Sequence, residues 1–202
     1  MTTIEFVILE VGESTAAECL YSDALGLDKR VRVRASDAPT TGFRGFTLSL
    51  LVSQPADVNA LVDAGVNAGA TTLKPAAKSL WGYGGAFRAP DGTIVTVASS
   101  SKKNTDAATG AIDEIVLQLG VDDVAVSKRF YVDRGFTVAK SYGRKYVEFD
   151  SGPVSLTLYR RGALAKVAGV SSDGTGSRRL VIGTDAEAFT DPDGFRWEDT
   201  SA

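Results

Sequence analysis

The chain has 202 residues, 44% hydrophobic and 23% charged, with a net charge of −3. That composition supports a sizeable core and one or two domains, and its acidic balance argues against a nucleic-acid partner, which needs clustered Lys and Arg. The chain contains no histidine, which removes Ser-His-Asp and Cys-His catalysis together with the commonest transition-metal ligand.

The first segment, TIEFVILEV (residues 3–11), alternates as a strand, with Val7, Leu9 and Val11 on one face and Phe6, Ile8 and Glu10 on the other. It carries no basic start or cleavage site, so no signal peptide is expected. STAAECLYSDALGL follows as a helix, with Ser14 as a candidate N-cap and Gly26 as its stop. The single Cys19 excludes an intramolecular disulfide, favours a reducing, cytoplasmic setting, and reads as a small buried hydrophobe on that helix. KRVRVRAS and FRGFTLSLLVS are two further strands. Val58, Leu61, Val62 and Val66 then recur at helical spacing after Pro55. The segment from Thr71 to Ser99 holds a short strand, a Gly-rich loop and a hairpin turning at Pro90-Asp91-Gly92. Residues 99–110 are small, polar and aperiodic, and read as a linker.

After the linker the order restarts. AIDEIVLQL is a strand, VDDVAVSKRFYVDRGF a helix stopping at Gly135, and FTVAKSY, KYVEFD and VSLTLYRR three short strands. GVSSDGTGS is a loop, and RRLVIGTD and GFRWEDT are closing strands around a second Pro-Asp-Gly turn. The heptapeptide Ala-Phe-x-x-Pro-Asp-Gly thus occurs at Ala86 and again at Ala188. We expect residues 1–98 to form one βαβββ module and residues 111–202 a second, shortened one. No apolar run reaches the roughly 18 residues of a membrane helix.

The helix endings ECLYSDALGL and KRFYVDRGF, with WGYGGAFRAPDG and DPDGFRWE in that order, resemble the vicinal oxygen chelate superfamily, which includes glyoxalase I, extradiol dioxygenases and bleomycin-resistance proteins. The resemblance implies an α+β fold in which two βαβββ modules form cupped mixed sheets around a shared cavity. In that family's metal enzymes, ligands stand on the first strand, a middle strand and the strand after the PDG turn. Those positions match Phe6, Phe46 and Thr96 in the first module, and Glu114, Arg178 or Arg179, and Glu198 in the second. Such a set offers two carboxylates and no imidazole, so no metal or other cofactor is expected.

Period-two alternation then places Phe6, Ile8, Glu10, Phe46, Leu48, Leu50, Ile94, Thr96, Glu114, Val116, Gln118, Arg196 and Glu198 on the cavity lining. Trp81, Tyr83 and Tyr159 are expected at its mouth, and Trp197, out of phase with Glu198, in the core. The expected ligand-binding set is Phe6, Phe46, Trp81, Tyr83, Glu114, Tyr159, Arg178 and Glu198. The resemblance implies non-catalytic sequestration of a bulky aromatic natural product, as in antibiotic self-resistance; an enediyne suits such a cup. The alternative is a glyoxalase-like lyase, isomerase or dioxygenase relative using Glu114 or Glu198 as base or divalent-metal ligand. A small aromatic molecule is the expected partner, with no nucleic acid or membrane, and the fold is compatible with a homodimer.

Overall fold

The computed structural model describes residues 1–200; positions 201 and 202, the end of the expected second module, lie outside it. The first strand, β1 (Ile4–Val11), leads into α1 (Ser14–Glu18), which continues as a π-helical turn over Cys19–Ala24. Glu13, rather than Ser14, is the N-cap, its carboxylate accepting from the Thr15 N–H. Cys19 is exposed; Ala17, Leu20 and Tyr21 form the buried stripe, so the thiol falls off the face that packs. The chain then runs through β2 (Val31–Ala35), β3 (Thr40–Gly42), β4 (Phe46–Leu51), α2 (Pro55–Asn67), β5 (Thr71–Lys78), β6 (Tyr83–Arg88) and β7 (Ile94–Ser99).

Residues 100–113 hold no helix or strand, yet they are tied to the start of α2. Gln54 Oε1 accepts from the N–H groups of Thr105 and Asp106 at 2.9 and 3.1 Å. Asp57 Oδ1 accepts from those of Thr109 and Gly110 at 2.6 and 2.9 Å. Burial pushes the Asp57 carboxyl up, but these bonds outweigh it and hold it below the usual carboxylate range.

Beyond this strap lie β8 (Glu114–Val121), α3 (Val124–Val132), β9 (Thr137–Tyr142), β10 (Tyr146–Asp150) and β11 (Ser155–Arg160). An unanticipated helix, α4 (Arg161–Ala168), comes next. Then follow β12 (Gly174–Gly176), β13 (Leu180–Thr184), β14 (Phe189–Thr190) and β15 (Arg196–Asp199). The segment read as a plain loop carries β12, which pairs antiparallel with β3.

Two larger sheets organise the molecule. One has eight strands in the order β5-β6-β7-β4-β8-β11-β10-β9, the other five in the order β14-β15-β13-β1-β2. Each is built around a central antiparallel pair, β4 with β8 and β1 with β13, and each takes strands from both halves of the chain. The eight-stranded sheet contains two full βαβββ runs, β4-α2-β5-β6-β7 and β8-α3-β9-β10-β11. In the five-stranded sheet β2 returns directly parallel to β1, and β15 runs parallel to β13.

The repeat spacing records where each half is cut short. Tyr21 and Tyr131 stand 110 apart (131 − 21), Arg44 and Arg178 134 apart (178 − 44), and Asp91 and Asp193 102 apart (193 − 91). The first half lacks the outer strands of its opening module; the second lacks a helix between β13 and β14. The shortened pieces meet in the smaller sheet. The larger of two apolar clusters fills the space behind both sheets, with Leu48, Leu117, Leu156, Phe149, Ile182 and Trp197 among its buried members, so Trp197 packs in the core as its alternation predicts.

Candidate functional site

The face of the eight-stranded sheet turned away from that core is the candidate site. On β4 the residues Phe46, Leu48 and Leu50 join the core, and Thr47 and Ser49 point the other way. This is the opposite phase to the expected one. Both faces of this strand are buried, and the larger apolar side chains take the side where the helices pack. Phe46 is therefore a core residue, 2% exposed. On β8 the expected phase holds: Ile115, Leu117 and Leu119 are core, and Thr47 Oγ1 donates to Gln118 Oε1 at 2.8 Å across the central pair.

The ladder continues from Gln118 to Thr157 to Glu148 to Lys140. Thr157 is 4% exposed, and its buried hydroxyl has no hydrogen-bond partner, which is a cost unless something outside the protein supplies one. One step along lies a row of tyrosines, Tyr159, Tyr146 and Tyr142, paired across adjacent strands. Ring centroids are 5.0 Å apart for Tyr146 and Tyr159 and 5.9 Å for Tyr142 and Tyr146. Tyr146 donates to Glu148 at 2.9 Å. Burial, and then the neighbouring Glu148 carboxylate, raise the pKa of both Tyr146 and Tyr159. Glu114, at the far end of β8, accepts from Ser155.

Helix α4 covers part of this face. Leu164, Ala165 and Ala168 pack against Phe43 and Ile94, with Tyr159 at the margin. The close approach depends on Gly120, where a Cβ would sit 3.0 Å from the Arg161 Cα. Lys74 donates to the carbonyls of Lys166 and Val167 and so caps the C-terminal end of α4. The stripe Leu164, Ala165, Ala168 followed by Gly169 at φ +79 is the sequence signal for α4. The missed residues Tyr146 and Glu148 also leave a signal, since they alternate with buried Val147 and Phe149.

The five-stranded sheet presents a different surface. Arg34 reaches Glu198 with two hydrogen bonds of 2.9 and 2.8 Å, and Arg196 pairs with Glu10. Phe6 lies on Gly183, where a Cβ would come within 2.5 Å of the ring, and the Arg32 guanidinium stacks 3.4 Å from the ring centroid. Beneath these groups Ile8 and Val181 are buried. The hydrogen bond from Arg34 holds the Glu198 carboxyl below its ordinary range, which makes it a poor proton acceptor at neutral pH.

The eight expected site residues are thus not gathered in one place. Glu114 and Tyr159 lie on the eight-stranded sheet, and Phe6 and Glu198 on the five-stranded one. Arg178 spans the junction, donating to the carbonyls of Arg44 and Asp193 at 3.2 and 2.9 Å. Tyr83 donates to Asn59 at 2.9 Å, and Trp81 is 86% exposed at the β5–β6 tip. The donors do not fit the metal sites of the enzymes that the sequence resembles. Glu10 and Glu198 are each taken by an arginine, Glu114 by a serine, and no three His, Cys, Asp or Glu side chains cluster suitably among the described residues.

The fold has solved counterparts. A point variant of glyoxalase I from Zea mays is similar over 98% of this chain and 92% of its own, with a TM-score of 0.62 at 15% identity. The wild-type maize enzyme gives 0.61 at 14%, over 98% and 91%. A putative dioxygenase from Bacillus subtilis gives 0.63 at 11%, over 98% and 84%. The protein has the vicinal oxygen chelate fold. No protein-family model matches the chain, and no curated protein matches it in sequence. Within the vicinal oxygen chelate fold, the two curved sheets here are unequal, and the eight-stranded one keeps the polar, partly open face. No described helix is long and apolar enough to cross a membrane.

Proposed function

We propose that the protein binds a small planar aromatic molecule on the open part of the eight-stranded sheet, without a metal, and holds it rather than transforming it. The observation that carries this reading is the buried Thr157 hydroxyl without a partner, set between Gln118 and Glu148 and beside the tyrosine row. A ligand edge would satisfy the hydroxyl and the Gln118 amide, while its ring lies against Tyr146 or Tyr159. Helix α4 takes up part of the face, so a flat ligand of a few fused rings suits it better than a large globular one. Sequestration of an aromatic natural product, as in self-resistance, is the physiological role we assign to such binding. Isothermal titration of the full chain against a panel of polycyclic aromatic antibiotics tests it. Micromolar or tighter binding that Thr157→Val weakens about tenfold is expected; no binding tighter than millimolar across the panel overturns the reading.

A further inference from the structure

We infer that the ligand of this face carries a positive charge, so that the site selects aromatic cations over neutral aromatics of the same shape. The inference rests on the reading above and adds the ligand's charge to it. Three observations converge. First, Glu148 is the carboxylate on this part of the sheet, standing between Thr157 and Lys140 in the strand register. Its side chain is 30% exposed, and its one ion pair among the described residues is with Lys140 at 3.8 Å. Second, the tyrosine rings flank Glu148. Tyr146 is hydrogen-bonded to it, and Tyr159 lies close enough to feel its charge. Aromatic faces beside a carboxylate are the surroundings that hold an organic cation, the ring quadrupoles and the anion acting in the same direction. Third, the unpartnered Thr157 hydroxyl lies directly between Glu148 and Gln118 in the strand register, which places a missing polar contact within the same patch.

Lys140 marks where the ligand's charge belongs. Its side chain is 63% exposed and holds Glu148 at the long limit of an ion pair, so it can swing into solvent as a ligand cation takes its place. Such an exposed pair contributes little on its own. The five-stranded sheet shows the contrast: there the carboxylates Glu10 and Glu198 already have arginine partners at direct hydrogen-bond range.

The test compares N-methylacridinium with acridine, at a pH where acridine is uncharged, by fluorescence titration of the full chain. The cation is expected to bind about tenfold or more tightly. Glu148→Gln should bring the two probes to near parity, and Lys140→Ala should tighten the cation several-fold while leaving acridine unchanged. Equal affinity for both probes overturns the charge inference and leaves the aromatic-binding reading standing. Failure of both probes to bind overturns that reading as well. A cation preference that survives Glu148→Gln undiminished also overturns the inference. The comparison of probes on the unaltered protein decides the matter even where a variant folds poorly.

Discussion

The two Pro-Asp-Gly loops solve one burial problem in two ways. In the first half Tyr21, on the helix, donates to Asp91 at 2.7 Å, and Thr93 donates to the other carboxylate oxygen at 2.5 Å. Arg44 lies 3.5 Å from the same carboxylate and also donates to the Asp91 carbonyl. In the second half Tyr131 donates to Asp191, whose other oxygen accepts from the N–H groups of Asp193 and Phe195 at 3.0 and 2.8 Å. No cation among the described residues pairs with it: Arg178 donates to the Asp193 carbonyl and stacks 5.3 Å from the Phe195 ring centroid. Burial accordingly raises the Asp191 carboxyl above its ordinary range. Each Pro-Asp-Gly loop is therefore a structural post that a helix-end tyrosine locks, through the motif's own Asp91 in the first half and through Asp191, two residues before Asp193, in the second, and the cation partner is seen in the first alone among the described residues.

The largest expected effect comes from breaking the post that depends on a cation. Arg44 and Asp91 have side chains only 7% and 5% exposed. Arg44→Met leaves the buried Asp91 carboxylate without its cation, held by the Tyr21 and Thr93 hydroxyls alone, and should cost about 3 kcal/mol in denaturant melts. Arg178→Met removes two carbonyl contacts and the stacking on Phe195, leaves no buried charge unpaired, and should cost about 1 kcal/mol. Equal losses would show that the two arginines play the same part. Next come the tyrosines. Tyr131→Phe should cost about 2 kcal/mol, because Asp191 keeps only backbone donors, and Tyr21→Phe about 1 kcal/mol, because Thr93 and Arg44 remain.

Both hydroxyls are buried, and that burial, followed by the adjacent carboxylate, raises each pKa well above the usual tyrosine value. A raised folded-state pKa contributes stability that is complete below the unfolded value of about 10 and is lost as pH rises through the folded value. The protein should therefore weaken steeply in alkali. The Tyr21→Phe, Tyr131→Phe double variant, less stable at neutral pH, should weaken less steeply there.

Much of this frame is legible in the sequence. The paired helix-end tyrosines and the two heptapeptides mark the repeat, and the alternation of β1 and β8 gives the correct faces. The phase of β4 is not legible, because a strand buried on both faces has no polar side to announce the outside, and Phe46 is as apolar as a cavity wall would be. Helix α4 escapes because its stripe is short, one leucine and two alanines, and only its packing over Gly120 shows what it covers. The tyrosine row escapes for another reason. Its members come from β9, β10 and β11, and only sheet register brings them together. The left-handed turn before β13 hides likewise: Arg179 takes φ +49 where its counterpart before β4, Gly45, takes φ +88, so a glycine signal is replaced by an arginine held through two bonds to the Ala38 carbonyl.

The smallest effect is expected on the five-stranded sheet, and it separates a packed ion-pair roof from a site. Both partners of the Arg34–Glu198 pair are 43% exposed, so solvent screens much of its Coulomb energy, and Glu198→Gln should cost no more than about 1 kcal/mol. The Glu198 pKa is held down by Arg34, so its contribution is present above the unfolded glutamate value of about 4.3 and lost as pH falls through the folded value. The cost of Glu198→Gln should accordingly fade in acid and shrink further in high salt. Probe binding to the eight-stranded sheet should be unchanged, since the residue lies on the other sheet. A Glu198→Gln variant that keeps its stability but loses ligand would move the binding face to the five-stranded sheet, where Phe6 and Arg32 would then form its floor.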